Sequence, residues 1–195
     1  MTSSDRPSSR ERLLDAAVEL LRAKGPAASG TMEILALAEA PRGSFYFHFP
    51  DGKEQLVAEA VDRHSIATAE EMVATLDDRS IPISRRVEGV ILAVADSLAA
   101  NDYRLGCAVA ATSTEASATS PSLREATDLA FDSWTTLLSR YLVEEGIGRE
   151  RALALADTVV AGLEGATIMA RSKRDAAPLR HVATTLGATV EASLE

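Results

Sequence analysis

Residues 41–56 read PRGSFYFHFPDGKEQL, and this segment holds the strongest structural signals in the chain. Half of the chain's eight aromatic residues lie in it, at Phe45, Tyr46, Phe47 and Phe49. Pro41 favours a chain break followed by a short helix over residues 42–48, because proline fits the first turn of a helix. The Pro-Asp-Gly sequence at 50–52 predicts a turn before the next helix. We therefore expect a short aromatic helix with a break on each side.

Two more helical segments precede the aromatic helix. Ser8 and Glu11 have the spacing of a capping box at the start of the first segment, and Gly25-Pro26 predicts its end. Thr31 is the expected N-cap of the second segment. Three helices in about 40 residues, the last two joined by a tight turn, are typical of a helix-turn-helix. In that arrangement the third helix enters the major groove of DNA.

Helical periodicity continues through the rest of the chain, where strand signals are weak. Apolar spacing and turn residues predict six further helices over 51–77, 83–100, 105–117, 122–145, 149–173 and 176–194. The chain is therefore expected to be all-α, with three short helices followed by six longer ones.

Composition argues against several other classes of protein. A single cysteine, Cys107, allows no disulfide framework and no cysteine-based zinc site, and it suits a reducing cytoplasm. The polar N-terminus does not resemble a signal peptide. We expect no membrane span, because no stretch reaches the roughly 18 apolar residues that one needs. Catalytic triads, metal-ligand spacings and nucleotide-binding loops are not found, so we expect neither an enzyme nor a cofactor or metal.

The polar residues of segment 42–53 suit contact with DNA. Arg42 can reach a guanine edge or a phosphate, and Gly43 lets DNA approach the backbone closely. The remaining donors, suited to phosphates or base edges, are Ser44, Tyr46, His48 and Lys53. The alternative interpretation is structural, with the aromatic run as plain core and Arg42 as an ordinary solvated charge.

Taken in order, residues 41–56 resemble the recognition helix of TetR-type repressors and the start of the helix after it. That family's pattern is a small residue or proline, a basic residue, glycine, serine or threonine, a hydrophobic residue, tyrosine, an aromatic residue, histidine and phenylalanine. Residues 103–109 and 163–179 resemble the LmrA/YxaF-like branch of the family. Proteins of that branch repress transporter or enzyme genes and release DNA when a small, often aromatic, compound binds.

The resemblance implies two domains and a set of site residues. Residues 1–56 would form the helix-turn-helix domain, and residues 57–195 would bind the effector and dimerise. Phe45 and Phe49 would belong to the core of the small domain. The residues implied to face DNA are Thr31, Arg42, Gly43, Ser44, Tyr46, His48 and Lys53, with Phe47 as a further candidate.

One departure from the family pattern lies in the turn before the recognition helix. The family usually has glycine in this turn, whereas this chain has Glu39. A residue other than glycine in a left-handed conformation costs about 1 kcal/mol. Its negative charge also opposes DNA binding.

Two further sets of residues are expected in the C-terminal domain. Small residues on one face of the last two helices predict an isologous dimer interface, with packing inside one subunit as the alternative. They are Ala161, Gly162, Gly165, Ala166, Ala183 and Gly187. An apolar and aromatic pocket would suit a hydrophobic effector, although each of its residues also suits ordinary core. The candidates are Leu98, Leu105, Cys107, Phe131, Trp134, Leu138 and Met169.

Charge limits the DNA-binding interpretation but does not exclude it. The net charge is -9, yet residues 1–50 hold six basic and six acidic residues, so the acidity lies in residues 51–195. We expect a cytoplasmic homodimer, not bound to a membrane, that recognises an inverted repeat in operator DNA and a small hydrophobic effector. Its DNA affinity should fall steeply with salt. The alternative function is a helical small-molecule-binding or interaction module that does not bind DNA.

Overall fold

The computed structural model describes residues 7–194, and within them the chain forms nine α-helices and no β-strand. This confirms the expected all-α architecture, and each of the nine predicted helices is present. The helices are α1 (Ser9–Ala28), α2 (Thr31–Leu37), α3 (Arg42–His48), α4 (Lys53–Leu76), α5 (Ile83–Ala100), α6 (Ala108–Ala116), α7 (Pro121–Glu144), α8 (Arg149–Lys173) and α9 (Ala177–Glu191).

The helices divide into two compact units. The first unit comprises the chain up to His64 together with Cys107–Asp128, so it holds α1–α3, the first half of α4, α6 and the start of α7. The second unit comprises Ser65–Gly106 and Leu129–Glu195, and it holds α5, α8 and α9 with the remainder of α4 and α7. The predicted functional boundary between residues 56 and 57 falls inside the first unit and stays a prediction.

An apolar core joins the first three helices of the first unit. Ser8 and Glu11 form the predicted capping box at the start of α1, with the Ser8 N–H donating to the Glu11 carboxylate at 2.7 Å. The helix then places an apolar residue inward at each turn, as its periodicity predicts. The buried side chains of this core include Leu13, Ala17, Leu21, Ile34, Phe45 and Phe49.

The end of α1 and the start of α2 differ in detail from the sequence-based expectation. Gly25 has φ 74° and kinks α1, but helical geometry resumes after it, so Gly25-Pro26 marks a bend rather than the end. Thr31 is the first helical residue of α2 and not its N-cap. The N-cap is Gly30, whose carbonyl accepts from the Ile34 amide at 3.0 Å.

In the second unit, α5 packs against α9 and α8. The predicted apolar face of α5 is buried at Val87, Ile91 and Leu98. Arg86 on the same helix is also buried. Its guanidinium donates to the Leu76 carbonyl at 2.9 Å and pairs with Glu145, and this hydrogen bond lowers the pKa of the Glu145 carboxyl.

Helix α8 bears on the expectation that no segment spans a membrane. This helix, Arg149–Lys173, is long and apolar enough to cross one by length and composition alone. A core helix meets the same criterion, and α8 packs against α9 along its buried face. The property is therefore weak evidence for a membrane segment.

Candidate DNA-binding surface

The turn between α2 and α3 contains a strained residue. Glu39 has φ 48°, in the left-handed region that favours glycine. The Ala40 N–H closes the turn by donating to the Leu35 carbonyl at 3.0 Å. Pro41 then serves as the N-cap of α3 in an extended conformation. The turn expected from the sequence is thus present, and Glu39 bears the strain that glycine would avoid.

The aromatic residues of α3 lie on two different faces. Phe45 and Phe49 are fully buried, as expected for residues of the core. Tyr46 is 71 % exposed and Phe47 is 80 % exposed. Arg42 is also exposed, at the first position of the helix. One face of α3 therefore anchors the helix, and the other presents a cation, a phenol and a phenyl ring to solvent.

Gly43 on the exposed face has no structural reason to be glycine within the chain. It lies inside α3 without a positive φ, and no described atom comes within 4 Å of a Cβ built there. Glycine in a helix costs about 1 kcal/mol relative to alanine. The close approach of DNA that the sequence-based interpretation assigns to Gly43 stays a prediction.

Three predicted DNA contacts have partners inside the first unit. The Ser44 hydroxyl donates to the carbonyl of the N-cap residue of its own helix at 2.7 Å. The Nε2 atom of His48 lies 2.7 Å from the Ser9 hydroxyl oxygen. The Lys53 ammonium donates to the Pro26 carbonyl at 2.6 Å. An ammonium carries three N–H groups, so Lys53 can bind a phosphate as well as this carbonyl. Their roles at DNA stay predictions, as does that of half-buried Thr31.

Helix α6 also contacts the end of α1, which the sequence did not predict. The Glu115 carboxylate accepts a hydrogen bond from the Ala27 N–H at 2.8 Å. The same carboxylate lies in the space that a side chain at Gly25 would occupy, so a larger residue there would displace the Glu115 side chain as well as adopt a strained positive φ. Ala27 and Glu115 are 88 positions apart in the sequence, so no local sequence pattern could have predicted their hydrogen bond.

The end of the loop between α6 and α7 and the first turn of α7 make a second contact of this kind. The hydroxyls of Ser120 and Ser122 both donate to the carboxylate of Glu54, in the first turn of α4. These hydrogen bonds lower the pKa of the Glu54 carboxyl. The segment 107–128 therefore contacts both the end of α1 and the beginning of α4 within the first unit.

The residues predicted to line an effector pocket occupy different environments. Trp134 is buried, its indole N–H donates to the Ser65 carbonyl at 3.0 Å, and its ring meets that of Phe131 edge-on at 5.7 Å. Cys107 is half-buried at the N-cap of α6, where its sulfur accepts from a backbone amide. Met169 is 52 % exposed. Of the others, Leu98 and Leu138 are buried and Leu105 is half-buried. Their joint role in binding a ligand stays a prediction.

The small residues of α8 and α9 also separate into two groups. Ala161 and Gly165 are exposed and remain available to a second subunit. Gly162 lies against Leu186 and Val182 of α9. Ala166, Ala183 and Gly187 are buried within the protomer, and Gly187 contacts Glu88. Those three cannot contribute contact area to a partner, because they are already covered.

Helices α2 and α3, the turn between them and the exposed face of α3 define a helix-turn-helix DNA-binding protein. Residues 13–60 match the family model of bacterial regulatory proteins of the tetR family, and residues 82–185 match that of the LmrA/YxaF-like transcriptional regulator C-terminal domain. The chain therefore belongs to the TetR family, in its LmrA/YxaF-like branch. It is a DNA-binding transcriptional regulator, a class that generally has no catalytic activity.

Individual relatives agree with this assignment. An uncharacterised HTH-type transcriptional regulator of Mycobacterium tuberculosis is 35 % identical, over 87 % of this chain and 88 % of the relative. The HTH-type transcriptional repressor DhaR of a Mycobacterium species is 28 % identical, over 87 % of this chain and 86 % of DhaR. The crystal structure of regulatory protein TetR from Rhodobacter sphaeroides superimposes with a TM-score of 0.84, at 24 % identity, over 92 % of this chain and 97 % of that one. That likeness supports the fold.

Proposed function

We propose that this regulator is a cytoplasmic homodimeric repressor that binds an inverted repeat and releases it when a small hydrophobic compound binds. The observation that carries the proposal is the exposed face of α3. That face presents Arg42, Tyr46 and a glycine that the protomer itself does not need. A repressor name among the relatives, DhaR, supports the direction of regulation.

Each residue on this face has a distinct role in the proposal. Arg42 donates to a guanine edge or a phosphate, and Tyr46 donates its hydroxyl to a phosphate. Gly43 sits where the DNA comes closest. Because residues 1–50 hold six basic and six acidic residues, the N-terminal helices carry no net positive charge, and affinity rests on duplicating this surface in a dimer. Two half-sites about 34–36 Å apart, or a multiple of that spacing, are then read together.

A gel-shift titration tests DNA binding directly. The probe is the DNA flanking the regulator's own gene, at about 100 mM salt, because affinities depend steeply on ionic strength. Arg42→Ala should weaken binding about tenfold or more, and Tyr46→Phe by a smaller factor. Arg180→Ala, which removes an exposed arginine of α9, is the matched control and should bind as the wild type does. If the protein is a folded dimer and does not retard the flanking DNA, the result would favour the alternative function, a small-molecule-binding or interaction module that does not bind DNA.

The dimer surface in this proposal is the exposed stripe of α8. Ala161, Gly165 and Ile168 follow one another at spacings of four and three residues, which places them on one helical face. Ile168 is 62 % exposed. Small residues flanking an exposed isoleucine allow two copies of the helix to approach closely about a two-fold axis.

Sedimentation velocity tests this surface. Ile168→Glu should convert the dimer to a monomer at micromolar concentration and abolish operator binding, because one half-site gives too little affinity. Leu129→Glu introduces the same charge at an equally exposed leucine of α7 and should leave the dimer intact. A wild-type monomer, or a dimer that tolerates Ile168→Glu, would contradict the assignment.

Release of DNA in this proposal is a shift between two conformational states. The ligand binds better to a form in which the recognition helices no longer match consecutive grooves. Helix α4 is the element proposed to carry the change, because it is one continuous helix that begins at Lys53 beside the DNA-binding helices and ends at Leu76 in the second unit.

The chain's single tryptophan offers a probe for the effector. Trp134 is buried beside Phe131 among the candidate pocket residues, so a hydrophobic ligand there should change its fluorescence. A panel of aromatic compounds is titrated against the protein and then against the protein–DNA complex. Compounds that change the fluorescence should release the DNA. A compound that binds tightly and leaves operator affinity unchanged would refute the proposed mechanism of release.

A further inference from the structure

Phe47 is exposed to an extent that the fold does not explain. It is 80 % exposed, more than any other large apolar side chain in the described part of the chain. Its ring meets the edge of the His48 ring at 5.0 Å, and most of its surface faces solvent. A phenyl ring held outside the core adds little to folding, so its place on α3 points to contact with a partner.

The position of Phe47 on α3 identifies that partner surface. It follows Gly43 by four residues, so the two residues lie on the same face, about 6 Å apart along the helix axis. Tyr46 borders the same face and is also exposed. If DNA approaches the backbone at Gly43, the Phe47 ring contacts base edges or the sugar-phosphate backbone in the same groove. The ring is then desolvated.

The chemistry of the major groove limits what a phenyl ring can recognise there. Phe47 cannot hydrogen-bond a phosphate or a base edge. The apolar group that the major groove displays is the C5-methyl of thymine, and phenylalanine is among the side chains that contact it. Packing against deoxyribose is the other option, but it would not depend on sequence.

We propose that Phe47 is a specificity-determining residue that packs against the C5-methyl group of a thymine in each operator half-site. This inference rests on the proposed function, because it requires α3 to lie in the major groove. Burying one methyl group is worth about fourfold in affinity. Because a dimer makes this contact in both half-sites, it should bind an operator with thymine at both positions about fifteenfold more tightly than one that lacks both methyl groups.

Replacement of thymine by deoxyuridine tests the contact because it deletes the methyl group alone. Operator duplexes, located by footprinting on the DNA flanking the gene, carry this replacement at one symmetric pair of positions at a time. Wild-type protein should lose about tenfold or more in affinity at one such pair. Phe47→Ala should bind the thymine and deoxyuridine duplexes equally at that pair. Leu37→Ala, which truncates an exposed leucine of α2, should retain the wild-type discrimination.

Two other results would overturn the inference. If Phe47→Ala weakens binding to every duplex by the same factor and keeps the wild-type thymine preference, the ring contacts the backbone. If no position in the footprint distinguishes thymine from deoxyuridine, no methyl group is read. Failure of the wild-type protein to bind any duplex would instead reject the proposed function. Because Phe47 is so exposed, Phe47→Ala should melt at the wild-type temperature, which separates a lost contact from a lost fold.

Discussion

Replacing Glu39 by glycine should both stabilise the protein and strengthen its binding to DNA. Glu39 has φ 48° in the turn that leads into α3. A non-glycine residue in this region costs about 1–2 kcal/mol, because its Cβ crowds the following carbonyl. Glycine removes that cost but gains about 0.4–1 kcal/mol of backbone entropy in the unfolded chain. The balance predicts a net gain of about 1 kcal/mol in the free energy of unfolding.

Thermal and urea unfolding measure this gain. For a chain of this length, about 1 kcal/mol corresponds to a rise of about 2–4 °C in Tm. Glu39→Gln is the matched control, because it removes the charge but keeps a side chain in the left-handed conformation. It should change the free energy of unfolding by less than about 0.5 kcal/mol. Both variants lose a negative charge beside the recognition helix, so both should bind operator DNA more tightly than the wild type.

The two variants separate strain from charge. Stability should rise in Glu39→Gly alone, whereas DNA affinity should rise in both. If Glu39→Gly were no more stable than the wild type, the left-handed conformation of Glu39 would not be a source of strain. Equal stabilisation by Glu39→Gln would show that the charge, and not the backbone conformation, is the source of the cost.

Three further predictions concern contacts outside the recognition helix. Burial, and secondarily the charge of Arg22, lower the pKa of His64 to about 4. Because the unfolded chain binds a proton between pH 6.5 and 4 that the folded chain does not, the free energy of unfolding should fall by about 3 kcal/mol as the pH drops through this range. In His64→Gln, the free energy of unfolding should vary less with pH over the same range. Arg86→Ala removes the buried guanidinium that pairs with Glu145, which is part-exposed and keeps Arg79 as a second partner, so it should cost about 1.5–3 kcal/mol in urea unfolding, with Arg86→Met costing less. Glu115→Ala removes the acceptor for the Ala27 amide and should cost about 1 kcal/mol, with faster hydrogen exchange at that amide; unchanged exchange would contradict the contact.

Local patterns explain the parts of the DNA-binding surface that could be predicted. Phe45 and Phe49, the C-cap residue of α3, are four residues apart and both are buried in the core, whereas Tyr46 and Phe47 fall on the outward face of the helix. The break at Pro41 fixed the start of the helix. Sequence spacing alone therefore separates the anchoring residues from the exposed ones.

Contacts between distant parts of the chain could not be predicted in this way. Lys53 and Pro26 are 27 residues apart, and His48 and Ser9 are 39 apart. No periodic or capping pattern links such pairs, because they meet through tertiary packing. Residue type did indicate that Lys53 and His48 act near the recognition helix. It did not indicate that each side chain forms a hydrogen bond within the first unit.

The small residues of α8 and α9 show a second limit of sequence reasoning. Close packing of helices requires small side chains both inside a subunit and between subunits. Gly187 meets Glu88 within the protomer, whereas Gly165 is exposed. The sequence alone did not distinguish these two cases, because both residues satisfy the same steric requirement.

Gly43→Ala tests whether DNA lies close to α3, since it changes the exposed face of this helix by one methyl group. No described atom lies within 4 Å of the added carbon, and alanine is the better helix former by about 1 kcal/mol. Gly43→Ala should melt at or above the wild-type temperature but bind operator DNA at least about tenfold more weakly at fixed salt. Wild-type affinity in this variant would contradict a close approach of DNA to α3.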